Sequence, residues 1–476
     1  MKHIVEPIGG EFGVSCVIPT LDEVIGLMEK KLQFNRGYTR FIMHPYVQEF
    51  IDKQIQDGEY GIVVSSLETA RFFTQEYSPV GNCTLTGNEH YGLIKTTDQS
   101  DFDILFRDMR NTGFILNPHI AKSLVEEKKI EKNPELKKKL IQELSEIEKG
   151  ANPDRTLLFV SGMAALAGVL FSKNIRENKG HTIMVGNPYI DSRELLQKIA
   201  ARKLQNTVDF ISVDDDIEKY IKKDTGFILI EFPTNPLIRC TDIEKIVHIA
   251  HKNKIKVMID STIATPFNIS PLKLEVDIVM HSTTKFLNGM NDHIGGVLFF
   301  NNSVSSEIIA EIKTFQNTHK IDLCDQEAEI LLNNLKEFNS RMKIINKNTL
   351  ELAEWLNHHD KVEKVFYPLL ESHSDYSIAK KYLPQGAGGL LSFVLKKSGL
   401  ENAKKFYNHC TLPGKGPSLG SEQTLLCPIT LLTFFHESDE MLKQLGQNRY
   451  TMRVSVGTEN IDEIKNHLNQ GLLKIS

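Results

Sequence analysis

Lys285 stands four residues after the apolar run "DIVM", behind His281-Ser282-Thr283-Thr284 and ahead of Phe286, Leu287, Asn288 and Gly289. An amine at the mouth of a buried strand is poorly placed to extend into water. Partial desolvation lowers its pKa toward the range where an amine acts as nucleophile or base. The neighbouring hydroxyls can donate to an anion. A second anion-binding element is Ser161-Gly162-Met163, between "LLFV" and the helical "AALAGVL". Free N–H groups at a helix start, with a glycine permitting close approach, suit a phosphate. Tyr189 ends the turn Gly186-Asn187-Pro188-Tyr189 after "HTIMV" and offers an aromatic ring, although a half-buried turn tyrosine is its plainer use. Glu231, Thr234 and Asn235 close "GFILIEFPTNP", and Asp260 closes "KVMID". A carboxylate there needs a cationic or hydrogen-bonding partner, because desolvation otherwise neutralises it. Capping the next helix, for which Ser261 and Thr262 are also available, is the alternative. An amine for covalent attachment, several phosphate donors, a ring for stacking and a carboxylate for a ring nitrogen together describe a site for pyridoxal 5′-phosphate.

The elements that must position these groups are legible between about 155 and 305. "RTLLFVSG", "HTIMVGNP", "TVDFISVD", "GFILIEFP", "KVMIDST", "DIVMHST" and "GGVLFFNN" predict strands, separated by amphipathic stretches such as 192–203 and 242–254. Near-continuous apolar strands with helical crossovers predict an α/β fold, a mainly parallel seven-stranded sheet with helices on both faces. Ligands in such sheets bind outside the carboxyl ends of the strands. From about 345 onward, "GGLLSFVLK", "MRVSVG" and the amphipathic "NIDEIKNHLNQGLLKI" predict a smaller C-terminal α+β domain. The expected division is 1–154, an N-terminal segment; 155–340, the large domain; and 341–476, the small domain. Within the first segment, Leu136, Leu140, Leu144 and Ile147 recur at helical spacing among Lys and Glu, and Asn133-Pro134 is a helix start. That charge is read as the solvated face of a surface helix.

The 56 basic and 61 acidic residues leave a net charge of -5, so no basic field recommends nucleic acid. The six scattered cysteines form no CxxC pair and no metal-ligand cluster, so neither a metal site nor a disulfide frame is expected. The opening residues lack the unbroken apolar core of a signal peptide, and no run reaches the roughly 20 apolar residues of a membrane span. The expected compartment is the cytoplasm. A P-loop or dinucleotide site is disfavoured: there is no GxxxxGK[ST] and no GxGxxG after a strand.

"SGMAAL", "EFPTNPL", "MIDSTIATPF", "HSTTKFLNG", "SLGSEQTL" and "MRVSVGTENIDEI", with "GYTRFIMHP" at 37–45, occur in an order and spacing similar to one family. The chain resembles the Cys/Met-metabolism branch of fold-type-I pyridoxal-phosphate enzymes, which includes cystathionine γ-synthase, the cystathionine lyases, methionine γ-lyase and the homoserine sulfhydrylases. "EFPTNP" and "NPYIDSRELLQK" look most like the fungal-type cystathionine γ-synthases. The resemblance implies that Lys285 anchors the cofactor covalently, Asp260 pairs with its pyridine nitrogen, and Tyr189 stacks on the ring and assists proton transfer. It implies that Gly162, Met163, Ser282 and Thr284 hold the phosphate, with Thr283 directed away. Arg453 would grip the substrate carboxylate, Asn235 would lie near it or near the cofactor's phenolic oxygen, and Thr424 would stand close to the lysine. Tyr38 and Arg40 resemble a Tyr-x-Arg pair that reaches the phosphate of a neighbouring subunit, which implies a homodimer or homotetramer with shared active sites.

The implied reaction is γ-replacement on an activated homoserine by a thiol such as cysteine. A lyase or sulfhydrylase on the same scaffold is the alternative within sulfur amino-acid metabolism. A catalytically silent assembly partner is the alternative of another class; its protein would stay colourless after reconstitution with cofactor. Two departures stand out. The family places Tyr-x-Arg close before "SGM", whereas 120 residues separate Arg40 from Ser161 here, and the insert is expected to shape the substrate entrance or an oligomer contact. Met290 and Asn291 differ from the pattern usual after the lysine turn, and Met290 removes a polar group there.

Overall fold

The structure, a computed structural model, describes residues 2–475 apart from 4–6, 36, 131, 177–178, 187 and 203–206. Asn187 of the Tyr189 turn and Lys203 at the end of the 192–203 stretch therefore lie outside the described residues. Helix α1 (Leu21–Met28) begins with a capping box, in which Thr20 and Glu23 satisfy each other's backbone N–H. An antiparallel sheet follows, of β1 (Tyr60–Val64), β2 (Cys83–Gly87) and β3 (Gly92–Thr96), with β3 in the centre. Helices α2 (Gln99–Thr112) and α3 (Pro134–Ile147) complete this part of the chain. Asn133 caps α3 and Pro134 opens it, as the sequence predicts, and Leu140 and Leu144 are buried.

The large sheet contains β4 (Thr156–Phe159), β5 (His181–Val185), β6 (Thr207–Ile211), β7 (Thr225–Glu231), β8 (Lys256–Asp260), β9 (Ile278–Ser282) and β10 (Gly296–Phe300). Its order is β6-β5-β7-β8-β9-β10-β4, and β10 alone runs against the others. All seven predicted strands form. Successive residues of a strand face opposite sides, and here they enter different cores. Phe227 and Leu229 pack with Met258, Met280 and Leu298; Ile228 and Ile230 pack with Val257, Ile259 and Val279. Helices α4 (Gly162–Phe171), α5 (Ile190–Arg202) and α6 (Ile243–Lys252) are crossovers, and α7 (Asp325–Asn334) packs against α3. The smaller sheet, β11 (Val362–Phe366), β12 (Leu390–Leu395), β13 (Gly414–Lys415), β14 (Leu425–Cys427) and β15 (Met452–Ser455), has the order β11-β12-β15-β14-β13. Helix α8 (Ile461–Leu472) ends the chain against the small domain.

The first 154 residues divide between the two faces of the large sheet. Cys16, Ile18, Leu21, Val24 and Phe34 join the core shared with the small domain. There Tyr407 donates to the Ile18 carbonyl at 2.9 Å, and the Asn408 carboxamide accepts from the Leu21 N–H at 2.9 Å. The β1–β3 module joins the opposite core through Ile62, Val64, Ile94 and Phe114, which pack with α4 and α5. Among the described residues, no helix is long and apolar enough to cross a membrane.

Candidate active site

The carboxyl ends of β4, β5, β7, β8 and β9 share one edge, because those strands run in the same direction. That parallelism gathers Ser161, Tyr189, Glu231, Asp260 and Lys285 from 125 residues of sequence. The Lys285 turn is held from several sides. The Thr283 N–H donates to Gly295 O at 3.0 Å and the Gly289 N–H to Lys285 O at 2.9 Å. The Arg341 guanidinium donates to the carbonyls of Phe286, Leu287 and Asn288 at 3.1–3.3 Å. Lys285 Nζ donates to Ser418 Oγ at 3.3 Å and stands 4.4 Å from the Tyr38 ring centre. Burial lowers the pKa of this amine, and the nearby charges of Arg40 and Arg453 lower it further. Tyr38 opposes the shift, whose net direction is toward a more readily deprotonated amine.

Asp260 is half-buried, with its Oδ1 accepting from the Thr262 N–H at 3.0 Å and the Thr262 hydroxyl at 2.5 Å. Burial raises its pKa, and the Thr262 hydrogen bonds oppose the rise. Asp260 thus closes a local turn, and the alternative of capping the next helix is not realised: Thr265–Asn268 starts at Ala264 with no side-chain cap. Glu231 accepts from the N–H groups of Tyr189 at 2.7 Å and Asn235 at 3.0 Å. Burial, and then the charge on Asp260, push it up to about 8. Among the described residues, neither carboxylate has a salt-bridge partner. A protonated pyridine nitrogen is the kind of partner that a half-buried carboxylate such as Asp260 lacks.

Ser161 caps α4 by accepting from the Ala164 N–H at 3.0 Å. A Cβ added to Gly162 would meet Ser282 Cβ at 2.9 Å and Oγ at 3.1 Å, so only glycine lets β9 lie this close to the helix start. This makes a cradle of N–H groups and the Ser282 hydroxyl beside the lysine turn, of the kind that suits a phosphate. Met163 follows in the first turn and receives a hydrogen bond at sulfur from Ser192 at 3.6 Å. The Thr284 hydroxyl accepts from the Gly295 N–H at 3.0 Å. Thr283 points the other way, into the core, as expected.

Arg453, in β15, is 3% exposed. It donates to Pro417 O at 2.6 Å, Ser418 O at 3.0 Å and Asn235 Oδ1 at 3.3 Å. Among the described residues, no carboxylate forms a salt bridge with it. Asn235 therefore lies beside Arg453.

Two expectations need correction. Thr424 is not close to the lysine: its hydroxyl donates to Glu459 Oε2 at 2.7 Å and accepts from the Gly457 N–H at 2.9 Å. Glu459 also accepts from the Thr424 N–H, which fixes that side chain toward the C-terminal segment. Ser418 takes the place beside the amine. The signal for it was the glycine two positions on: Gly420 has φ +84°, and a Cβ there would meet Lys285 Cα at 3.0 Å and the Phe286 N–H nitrogen at 2.4 Å. The second concerns Tyr38 and Arg40, expected at a neighbouring subunit's phosphate. Both stand in the site of their own chain. Arg40 forms a buried pair with Asp191 Oδ2 at 2.7 Å and donates to the Tyr189 hydroxyl at 3.0 Å. Asp191, which sequence reasoning missed, neutralises Arg40. Burial and Asp191 raise the Tyr189 phenol well above its ordinary value, whereas Lys285 and Arg40 bring Tyr38 below its own despite burial.

A family model described as Cys/Met metabolism PLP-dependent enzyme matches residues 129–473. The L-methionine gamma-lyase of Fusobacterium nucleatum subsp. nucleatum is 37% identical over 262 residues, 55% of this chain and 65% of that protein. The match thus spans just under two thirds of that relative. The cystathionine beta-lyase of Coxiella burnetii is 32% identical over 316 residues, covering 66% of this chain and 80% of the relative. Among solved structures, the cystathionine gamma synthase of Xanthomonas oryzae pv. oryzae in complex with cystathionine superposes with a TM-score of 0.64 at 26% identity. That likeness covers 72% of this chain and 86% of the synthase. The family model spans most of the chain, over the same sheet that gathers the Lys285 amine, the Asp260 carboxylate and the Gly162 helix start, and the chain belongs to the Cys/Met-metabolism family of pyridoxal-phosphate-dependent enzymes.

Proposed function

We propose that the chain catalyses γ-replacement on an activated homoserine, with a thiol such as cysteine as acceptor, in the cytoplasm. The observation that carries an amino-acid substrate is Arg453, buried and without a carboxylate partner among the described residues. A guanidinium held in that way is completed by an α-carboxylate, which its planar fork can bind in two places. Asn235 fixes the fork's orientation. Lys285 would anchor the cofactor and is the amine that could take the substrate's α-proton, a role that its lowered pKa supports. When pyridoxal phosphate binds, Asp260 would face its ring nitrogen, Tyr189 would stack on the ring, and Gly162, Met163, Ser282 and Thr284 would hold the phosphate, with Tyr38 and Arg40 alongside. Pyridoxal phosphate, when bound, supplies the electron sink for charge at the α-carbon.

The choice of γ-replacement is supported by the solved synthase, which holds cystathionine in a similar fold. A lyase is the second reading, favoured by the 37% identity to a methionine γ-lyase. Incubating the holoenzyme with O-acylhomoserine, with and without cysteine, separates them by mass spectrometry. Cysteine-dependent thioether is the expected product. An α-keto acid and ammonia released whether or not cysteine is present, with no thioether, would establish the lyase instead.

A further inference from the structure

We infer that Thr283, His293 and Glu327 are positioning residues that fix the Lys285 turn from behind and tie it to the β1–β3 module. Thr283 lies between Ser282 and Thr284, and its side chain points into the protein while theirs border the site. Thr283 Oγ1 and His293 Nε2 share a hydrogen bond at 2.8 Å. His293 Nδ1 stands 2.7 Å from Glu327 Oε2, a close ion-pair contact without hydrogen-bond alignment. Both Thr283 and His293 are 0% exposed and Glu327 is 2% exposed, so this is an interior chain of polar groups and no solvated surface pair.

The surroundings are built for it. A Cβ on Gly295 would meet Thr283 Oγ1 at 2.5 Å and His293 Nε2 at 2.7 Å, so the backbone closes directly over the contact. Glu327 Oε2 also accepts from the Ile294 N–H at 3.1 Å, and Oε1 accepts from Asn117 Nδ2 at 2.8 Å. His119 Nε2 lies 4.0 Å from Oε1. Asn117 belongs to the segment that leaves the module, whose Gly113 carbonyl accepts from the Ser161 hydroxyl at 3.1 Å. One segment of the module therefore reaches both sides of the phosphate cradle: Ser161 directly, and the Ser282–Thr284 turn through Glu327 and His293. Burial opposes ionisation of Glu327, and His293 holds its pKa below the ordinary carboxylate range. Packing alone does not require such a chain, since apolar side chains of similar volume fill a core at no electrostatic cost. What hydrogen bonds add is direction, which a turn carrying a covalent anchor and two phosphate ligands needs.

The inference rests on the family's cofactor and is independent of which reaction is catalysed. Its test is cofactor affinity, read from the visible absorption of the protein titrated with pyridoxal phosphate, alongside the melting temperature. Thr283→Val removes the hydroxyl at nearly constant volume and is expected to weaken cofactor binding about tenfold. Thr283→Ser restores the hydroxyl and is expected to bind within about twofold of the parent protein. Glu327→Gln is expected to weaken binding similarly, and adding it to Thr283→Val to cause little further loss, because the two act through one chain. Asn117→Ala provides the same test from the module side if Glu327→Gln does not fold. Unchanged affinity in Thr283→Val and Asn117→Ala, with only the melting temperature lowered, would overturn the inference and leave these residues a structural role. So would Thr283→Val and Glu327→Gln effects that simply add.

Discussion

At the scale of single residues, the site is a set of charges held short of partners. Lys285 is lowered by burial, Asp260 and Glu231 are raised by it, and Arg453 leans on carbonyls. Glu231 gives the clearest pH signature. Its pKa rises from an ordinary 4.5 to about 8, through burial and the neighbouring charge of Asp260. An acid raised on folding contributes stability that is fully present below its unfolded pKa and is lost as the pH rises through its folded pKa. A tenfold change in acidity corresponds to about 1.4 kcal/mol. The cofactor-free protein is therefore expected to melt progressively lower between about pH 5 and pH 8, and Glu231→Gln to flatten that decline. Parallel melting profiles for the two proteins would contradict it. Lys285, Asp260, Asn235 and Arg453 were legible because each terminates or occupies an apolar run, where a polar side chain must have a purpose. Thr424 was misplaced because its direction is set by Glu459, 35 residues away in sequence. Arg40 gave the right neighbourhood and the wrong route: its nearest charge, Asp191, comes into range only when α5 is packed against the module.

At the scale of elements, burial explains both what could be read and what could not. The central strands are covered on both faces, which makes their sequences nearly unbroken apolar runs. The module sheet left a weaker trace, because β2 alternates between exposed and half-buried positions and is only five residues long. Its attachment depends on details no local pattern carries. Phe72 and Phe114 meet Phe171 and Phe315 from the large domain, with Phe73 stacked on Phe114 and Phe171 stacked on Phe315 at 5.3 Å. Arg110 and Asn111 of α2 both donate to Glu194 of α5 at 2.8 Å. Gly113, just after α2, has φ +72°, and a Cβ there would meet Ser161 Oγ at 2.2 Å and the Ala164 nitrogen at 2.9 Å. Gly113→Ala must therefore push on the cap of the phosphate helix from inside the module, besides straining a left-handed backbone. The expected cost is about 1–3 kcal/mol of stability, together with weaker cofactor binding. A variant that loses stability yet binds pyridoxal phosphate as the parent does would show that the module's pressure on Ser161 is unimportant to the cradle.

At the scale of the whole molecule, the position of Tyr38 and Arg40 decides whether one chain can furnish a complete site. Between Arg40 and Ser161 the β1–β3 module docks on the same chain's large sheet, and the segment before it lies over its own lysine. The contacts that result are specific: Arg40 to Asp191, Tyr189 and the Arg110 carbonyl, and Tyr38 against Lys285. Arg40 and Asp191 are both buried, and separating them would leave an uncompensated charge that costs about 3–5 kcal/mol. Exchange of this segment between subunits would have to rebuild the same pair across an interface. Complementation distinguishes the two arrangements. One variant carries Lys285→Ala; the other carries Arg40→Ala with Asp191→Asn, so that no charge is stranded. In a site assembled within one chain, every mixed assembly has either a chain without its lysine or a chain without its arginine, and co-expression restores no activity beyond the sum of the two variants alone. If the segment crosses between subunits while Asp191 acts with the chain that supplies Arg40, mixed dimers regain an intact site. If Asp191 instead acts with the lysine's chain, replacing Asp191 only in the Lys285→Ala chain provides the corresponding control. Recovery of activity and of the visible cofactor band in either mixture would show exchange; absence from both is the result expected from the geometry of this chain.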